Sequence, residues 1–331
     1  MVDFRRRRVW CAAVLGTLGA ALVAASVVNA SAQTYPNKPI RLIVPFAPGG
    51  LNDTTARLLQ PHLEKALGQP VIVDNRPAAS GIVGTDAVAK APPDGHTLLM
   101  VASSHTVVPA TNSKLPYDAE RDFAPIAMVG KNPLLFVINA KVAARTLPEF
   151  VALAKANPGK LNYATPGAAS QSHLVTELFD QKAGITIQHV PYRGGAPAIM
   201  SVVQGETQFA VISPLASLPH IQSGALRAIA AGSPTRDAQF PDLPTVAEAG
   251  YPDVEAIQWV GLLTTAGTPK NIVERLNAEV NRALRDPDMI AKLALQGVSP
   301  ADGAPAEFQK VIAGEIRRWT EVARSANIKA E

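Results

Sequence analysis

A short apolar run, Ile40-Arg41-Leu42-Ile43-Val44, leads directly into Pro45-Phe46-Ala47-Pro48-Gly49-Gly50-Leu51-Asn52-Asp53-Thr54. Behind it, Leu58, Leu59, Leu63 and Leu67 recur at helical spacing. A strand, a Gly-Gly turn and a helix start, in that order, commit this stretch to an α/β unit. The same unit makes an anion site from backbone alone. The first-turn N–H groups of a helix have no internal partner, and the helix dipole adds partial positive charge. Gly49 and Gly50 lack a Cβ, so the main chain can approach a ligand closely. The bland reading of these residues is a tight turn.

Strand-like and helical runs then alternate along the chain. Strands are expected over 40–46, 71–74, 97–102, 124–129, 134–138, 187–190, 209–212 and 226–231, with another starting at Tyr163. Helices are expected over 54–67 (bent by Pro61), 85–90, 148–156, 172–183, 196–204, 215–223, 270–285 and 305–326. This alternation predicts a mainly parallel α/β sheet. Boundaries fall near Asn132-Pro133 and again over Tyr251–Ile257. The stripe Ile272, Leu276, Val280 and Leu284 reads as core packing.

The N-terminus predicts export. Arg5 to Arg8 precede an apolar stretch from Val9 to Val28, and Ala30-Ser31-Ala32 forms a small-x-small cleavage site. Residues 1–32 read as a signal peptide, and the competing reading is a retained membrane anchor. The leader holds four of the 31 basic residues and one of the 27 acidic ones, so the remainder is close to neutral. A nucleic-acid footprint needs a concentrated basic face, and none is legible. The single cysteine, Cys11, leaves with the leader. The six histidines show no H-x-x-x-H spacing, so neither a metal nor a cofactor is expected.

Further polar loops follow strands, where open α/β sheets hold ligands. Ser103, Ser104, His105 and Thr106 follow the run 97–102. Gly167, Ala169, Ser170 and His173 lie in a small-residue loop that opens a helix, where Ser170 or Ser172 can serve as the cap. Arg193 follows the run 187–190 and can fork onto a carboxylate. Ser213 follows 209–212, and Trp259 lies near the second boundary, able to close over a ligand or to pack. A hydrolase using Ser104 or Ser170 with His105 or His173 is the enzymatic alternative. No G-x-S-x-G, Walker or G-x-G-x-x-G pattern supports it. These loops offer amides and hydroxyls that hold a ligand without transforming it, so no enzyme is expected.

Several stretches together carry a family resemblance: Tyr35-Pro36-Asn37-Lys38-Pro39-Ile40-Arg41, Val44–Gly50, Val73-Asp74-Asn75-Arg76-Pro77-Ala78-Ala79-Ser80-Gly81, Val190-Pro191-Tyr192-Arg193-Gly194, Leu218–Gly224, Phe240–Thr245 and Ala266-Gly267-Thr268-Pro269. From Tyr35 onward the chain resembles the substrate-binding receptors of tripartite tricarboxylate transporters, the Bug family of extracytoplasmic solute receptors. The resemblance implies a type II periplasmic-binding-protein fold with two α/β lobes around a ligand cleft. With the boundaries above, lobe 1 is 33–133 plus 255–331 and lobe 2 is 134–254. It implies a carboxylate held by Phe46, Ala47, Pro48, Gly49, Gly50, Asn52, Asp53 and Thr54 together with Ser103–Thr106. Lobe 2 would add the 165–173 loop, Arg193 and Ser213. It also implies a periplasmic receptor, expected to be a monomer, that delivers a mono- or dicarboxylate to membrane transporter subunits. The alternative partner is a membrane sensor kinase. Family members often carry an acidic residue where Ile212 stands here, which points to a carboxylate without an amino group.

Overall fold

The computed structural model describes residues 35–78, 81–236 and 240–330. The expected signal peptide lies outside them. In the unit from Lys38 onward the chain runs β1 (Ile40–Val44), α1 (Leu51–Leu67), β2 (Val71–Asn75), α2 (Ile82–Ala89), β3 (Thr97–Ala102), α3 (Ser104–Thr111), β4 (Phe123–Pro133), β5 (Leu135–Asn139), α4 (Leu147–Ala156), β6 (Asn162–Thr165) and α5 (Gln171–Ala183). It continues with β7 (Gln188–Pro191), α6 (Gly195–Gln204), β8 (Phe209–Ile212), α7 (Pro214–Gln222), β9 (Leu226–Ala231), β10 (Ile257–Thr265), α8 (Lys270–Leu284), α9 (Pro287–Ala294), β11 (Ser299–Pro300) and α10 (Pro305–Ser325).

Two sheets result, ordered β11-β4-β10-β3-β1-β2 and β7-β6-β8-β5-β9. In β1 every residue but Arg41 is buried, the pattern of a parallel strand covered on both faces. It pairs in parallel with β2 and β3, through Ile40 with Val71 and Leu42 with Leu98. In the second sheet β6 lies parallel to both β7 and β8. Each sheet is completed by antiparallel strands. β10 lies between β3 and β4 in the first, and β5 lies between β8 and β9 in the second. The chain thus leaves the first sheet along β4, turns into β5 within two residues, and returns along β10.

The mainly parallel expectation is therefore corrected: both sheets are mixed. The crossing strands arrive from the other sheet and so run against their neighbours. The central strand β10 begins at Ile257, the last residue of the segment read as a boundary. Ser103–Thr106, read as a polar loop, instead opens the helix Ser104–Thr111, and α9 was not anticipated. α1 runs unbroken through Pro61.

Side-chain burial explains the layers. Ile43, Leu99, Val101, Trp259 and Leu263 pack against Phe308 and Ile312 of α10 under the first sheet. Phe136, Phe150, Tyr163, Phe179 and Phe209 centre the second core, with Phe150 stacked on Phe209 at 4.8 Å. Trp319 and Val322, further along α10, belong to that second core, as does Val107 of α3. One helix therefore joins both cores, and burying a large side chain contributes roughly 1.5–3 kcal/mol each.

Candidate ligand cleft

The loop after β1 is held from behind. Gly49 adopts φ +81°, a left-handed conformation that favours glycine. Its N–H donates to Asp53 Oδ2 at 2.8 Å. Asn75 Nδ2 donates to Asp53 Oδ1 at 2.9 Å and to the Phe46 carbonyl at 3.2 Å. Arg57 Nε donates to both Asp53 oxygens, at 3.0 and 3.1 Å. Burial opposes ionisation of Asp53, yet the bonds from Arg57, the Gly49 amide and Asn75 hold its carboxyl below the usual range. Gly84 of α2 lies so close that a Cβ there would meet Pro45 Cβ at 2.9 Å, which locks the base of the loop.

With Asp53 turned to its own loop, the backbone is what remains for a ligand. Phe46 is half-buried, while Ala47, Pro48, Gly49 and Gly50 are exposed. No acceptor takes the first-turn N–H groups of Leu51, Asn52 and Asp53 among the described residues. The Thr54 hydroxyl is within hydrogen-bond reach of the Gly50 and Leu51 carbonyls and of Gln296 Oε1 at 2.9 Å.

α3 brings up the facing segment. Phe46 and Ser104 both line a small recess of about 10 Å³, together with Tyr117 and His105. That is about the room one water occupies. The His105 ring itself turns into the lobe. Its Nε2 donates to the Ala119 carbonyl at 2.8 Å and its edge meets Phe123 at 5.2 Å. Burial lowers its pKa to about 4, so it is neutral. Thr106 Oγ1 contacts the Ser103 carbonyl at 2.7 Å and Glu315 Oε2 at 2.8 Å. Ser104 keeps a half-buried hydroxyl with no protein partner among the described residues.

In the second sheet β7, β6 and β8 are adjacent, so their three following loops lie side by side. The Gly194 N–H donates to the Pro166 carbonyl at 2.9 Å, and Ser170 N to the Gly167 carbonyl at 3.3 Å. Ser170 Oγ caps α5 by accepting from His173 N, and Ala169, at φ +55°, donates its N–H to His173 Nδ1 at 3.1 Å. His173 is buried and stacked on His189 at 3.7 Å. Arg193 is exposed and makes no ion pair among the described residues, and Ser213 stands at the start of α7 with its hydroxyl unbonded.

The two sheets meet at Ser103 and Gln171. Ser103 Oγ donates to Gln171 Oε1 at 2.7 Å, and Gln171 Nε2 donates to the Ile257 carbonyl at 2.8 Å. The 165–171 loop is thereby brought to the Ser103 end of β3. Arg193 and Ser213 make no such link. Trp259 is tied to the Ser103–Thr106 segment from the core side: its carbonyl accepts from the Ser103 amide at 3.0 Å, and its Nε1 donates at 2.9 Å to Glu315 Oε2, the oxygen Thr106 also contacts, while the buried ring lies edge-on to Phe308 at 5.1 Å.

Asn75, Gln171 and Glu315 escaped the sequence reading. A polar residue in a first helical turn carries no sign of burial, so Gln171 had no usable signal. Glu315 had one, because Phe308, Ile312, Glu315, Trp319 and Val322 fall on a single helical stripe.

The loops thus present hydroxyls and first-turn amides, and those of the two sheets are joined at Ser103 and Gln171. The fold is that of a type II, two-lobe solute-binding protein. The chain belongs to the Tripartite tricarboxylate transporter family receptor group, which matches residues 55–328, and it is a receptor, not an enzyme. It is 40% identical over 301 residues to Protein BugT of Bordetella pertussis, covering 90% of this chain and 92% of BugT. Among solved structures, a protein of R. palustris described with adipate is 32% identical, with TM-score 0.75 over 89% of this chain and 99% of that one. MatC from Rhodopseudomonas palustris with bound malate is likewise 32% identical, with TM-score 0.71 over 87% of this chain and 99% of MatC.

Proposed function

We propose that this chain is a periplasmic receptor that takes a small carboxylate into the cleft between its lobes and delivers it to a tripartite tricarboxylate-type transporter. The reading rests on the Ser103–Gln171 contact, which joins two sets of ligand-suited loops from different sheets. One carboxylate group is received by the free amides at the start of α1, with the Gly49-Gly50 turn and Ser104 facing it. Ser170, Arg193 and Ser213 approach the rest of the ligand from the second lobe. We place the lobe limits at 33–133 plus 255–331 and 134–254, in keeping with the sheet each strand joins.

Ile212 closes β8 as a buried apolar residue, so nothing acidic stands there to receive an ammonium group. The ligand class is therefore a mono- or dicarboxylate without an amine. Malate and adipate, the ligands described for two relatives, are dicarboxylates of that kind. Isothermal titration of the purified protein with malate, adipate, benzoate and glutamate tests this. Heat with one or more of the first three and none with glutamate is the expected pattern. A folded protein that takes up glutamate alone would refute it.

A further inference from the structure

A cavity of about 390 Å³ lies between α10 and the strands that cross between the sheets, and it shares no lining residue with the recess beside Phe46 and Ser104. Its apolar lining includes Met128, Trp259 and Trp319. Gly314 also lines it, in the interior of α10, where a Cβ would meet no atom within 4 Å. Glycine inside a helix is destabilising relative to alanine. No close neighbour demands it here, so its effect is to keep this space open.

The charges at the cavity are unequal. Glu315 accepts from Thr106 and Trp259, and Arg318 is attracted by the lining acids Glu315 and Glu255, with its guanidinium 4.4 Å from the centre of the Trp319 ring. Lys131 and Lys310 are exposed at its edge and make no ion pair among the described residues. Lys131 stands directly opposite Trp259 in the β4–β10 ladder, so the two side chains share a face of the sheet.

We propose that this cavity is a second binding site, separate from the cleft, for a small amphipathic anion: an aromatic body against Met128, Trp259 and Trp319, and a carboxylate or sulfonate at Lys131 and Lys310. The inference does not depend on what the cleft binds. A fluorescence titration with 8-anilinonaphthalene-1-sulfonate tests it, read by energy transfer from tryptophan. One saturable equivalent is expected. Gly314→Leu fills the cavity and should weaken binding by at least about tenfold without lowering the melting temperature, and Lys131→Glu with Lys310→Glu should weaken it similarly. A folded Gly314→Leu protein that binds the probe as tightly as the parent overturns the proposal. So does loss of the probe on Arg193→Ala, which would place it in the cleft. Should Gly314→Leu not fold, the lysine pair decides: unchanged affinity after both reversals overturns the site.

Discussion

Ser103 and Gln171 lie 68 residues apart and belong to different sheets, yet the serine hydroxyl donates to the glutamine carbonyl oxygen at 2.7 Å in a buried position. The glutamine amide passes the connection on to the Ile257 carbonyl, where the chain re-enters the first sheet. Gln171→Ala leaves both of those groups without their partner. A buried polar group so orphaned costs about 1–3 kcal/mol. Thermal unfolding should show a clear drop in melting temperature, and an unchanged curve would mean the bridge contributes nothing.

Asp53 organises the glycine loop through the Gly49 amide and Asn75. Its ion pair with Arg57 adds little, since half of the arginine side chain is solvated (51%). Asp53→Ala should lower stability by about 1–3 kcal/mol. It should also weaken carboxylate binding, because Gly49 then loses the contact that holds it at φ +81°. Urea denaturation and calorimetric titration check the two effects separately. Full affinity in a destabilised variant would show that the loop needs no strut.

Asp180 is buried at the end of α5, with Oδ2 accepting from the Ile187 amide at 3.3 Å and Oδ1 unpartnered. Burial, aided by repulsion from Glu177 and opposed by the Ile187 bond, pushes its carboxyl up to about 8. An unfolded aspartate ionises near pH 4, so above that the native chain keeps a proton the unfolded chain has lost. Stability from this group is full at low pH and falls as pH rises from about 4 to 8, by up to ~1.4 kcal/mol per pH unit. Asp180→Asn removes the dependence, so its stability relative to the parent should rise steadily between pH 5 and 8. Parallel pH–stability curves for the two proteins would contradict this.

His173 and His189 act in the opposite sense. Both are lowered to about 4, His189 by burial and His173 by burial together with the charge of His189 beside it. Unfolded histidine protonates near pH 6.5, so from there down to about 4 acid favours the unfolded chain. Their contribution is complete above that window and is lost as pH falls through it. His189→Gln should flatten the acid side of the melting profile. An equally steep acid loss in the variant would assign it to other groups.

Legibility in the sequence followed how local the cause was. β1, its Gly-Gly turn and α1 are written in adjacent residues, and they formed as expected. β10 is not local, because Ile257–Thr265 is identifiable as a central strand only through partners near residues 100 and 128. Its Gly261 marks a close approach, since a Cβ there would meet Phe308 at 2.2 Å, but the neighbour lies 47 residues on. α3 carries Val107, Val108, Pro109 and Thr111, poor helix formers that packing overrides. The candidate loops were found because glycine, serine and arginine at strand ends have a recognisable chemistry. Gln171 was missed because its importance is positional.

The place of β10 has a consequence for how the protein is made. β3 and β4 never pair with each other; the gap between them is filled by a strand that begins at residue 257. Until synthesis passes that point the first sheet exists as two separate fragments, each with an unsatisfied edge open to mispairing. The first sheet therefore cannot close until β10 has been made, whereas all five strands of the second sheet are already in hand by Ala231.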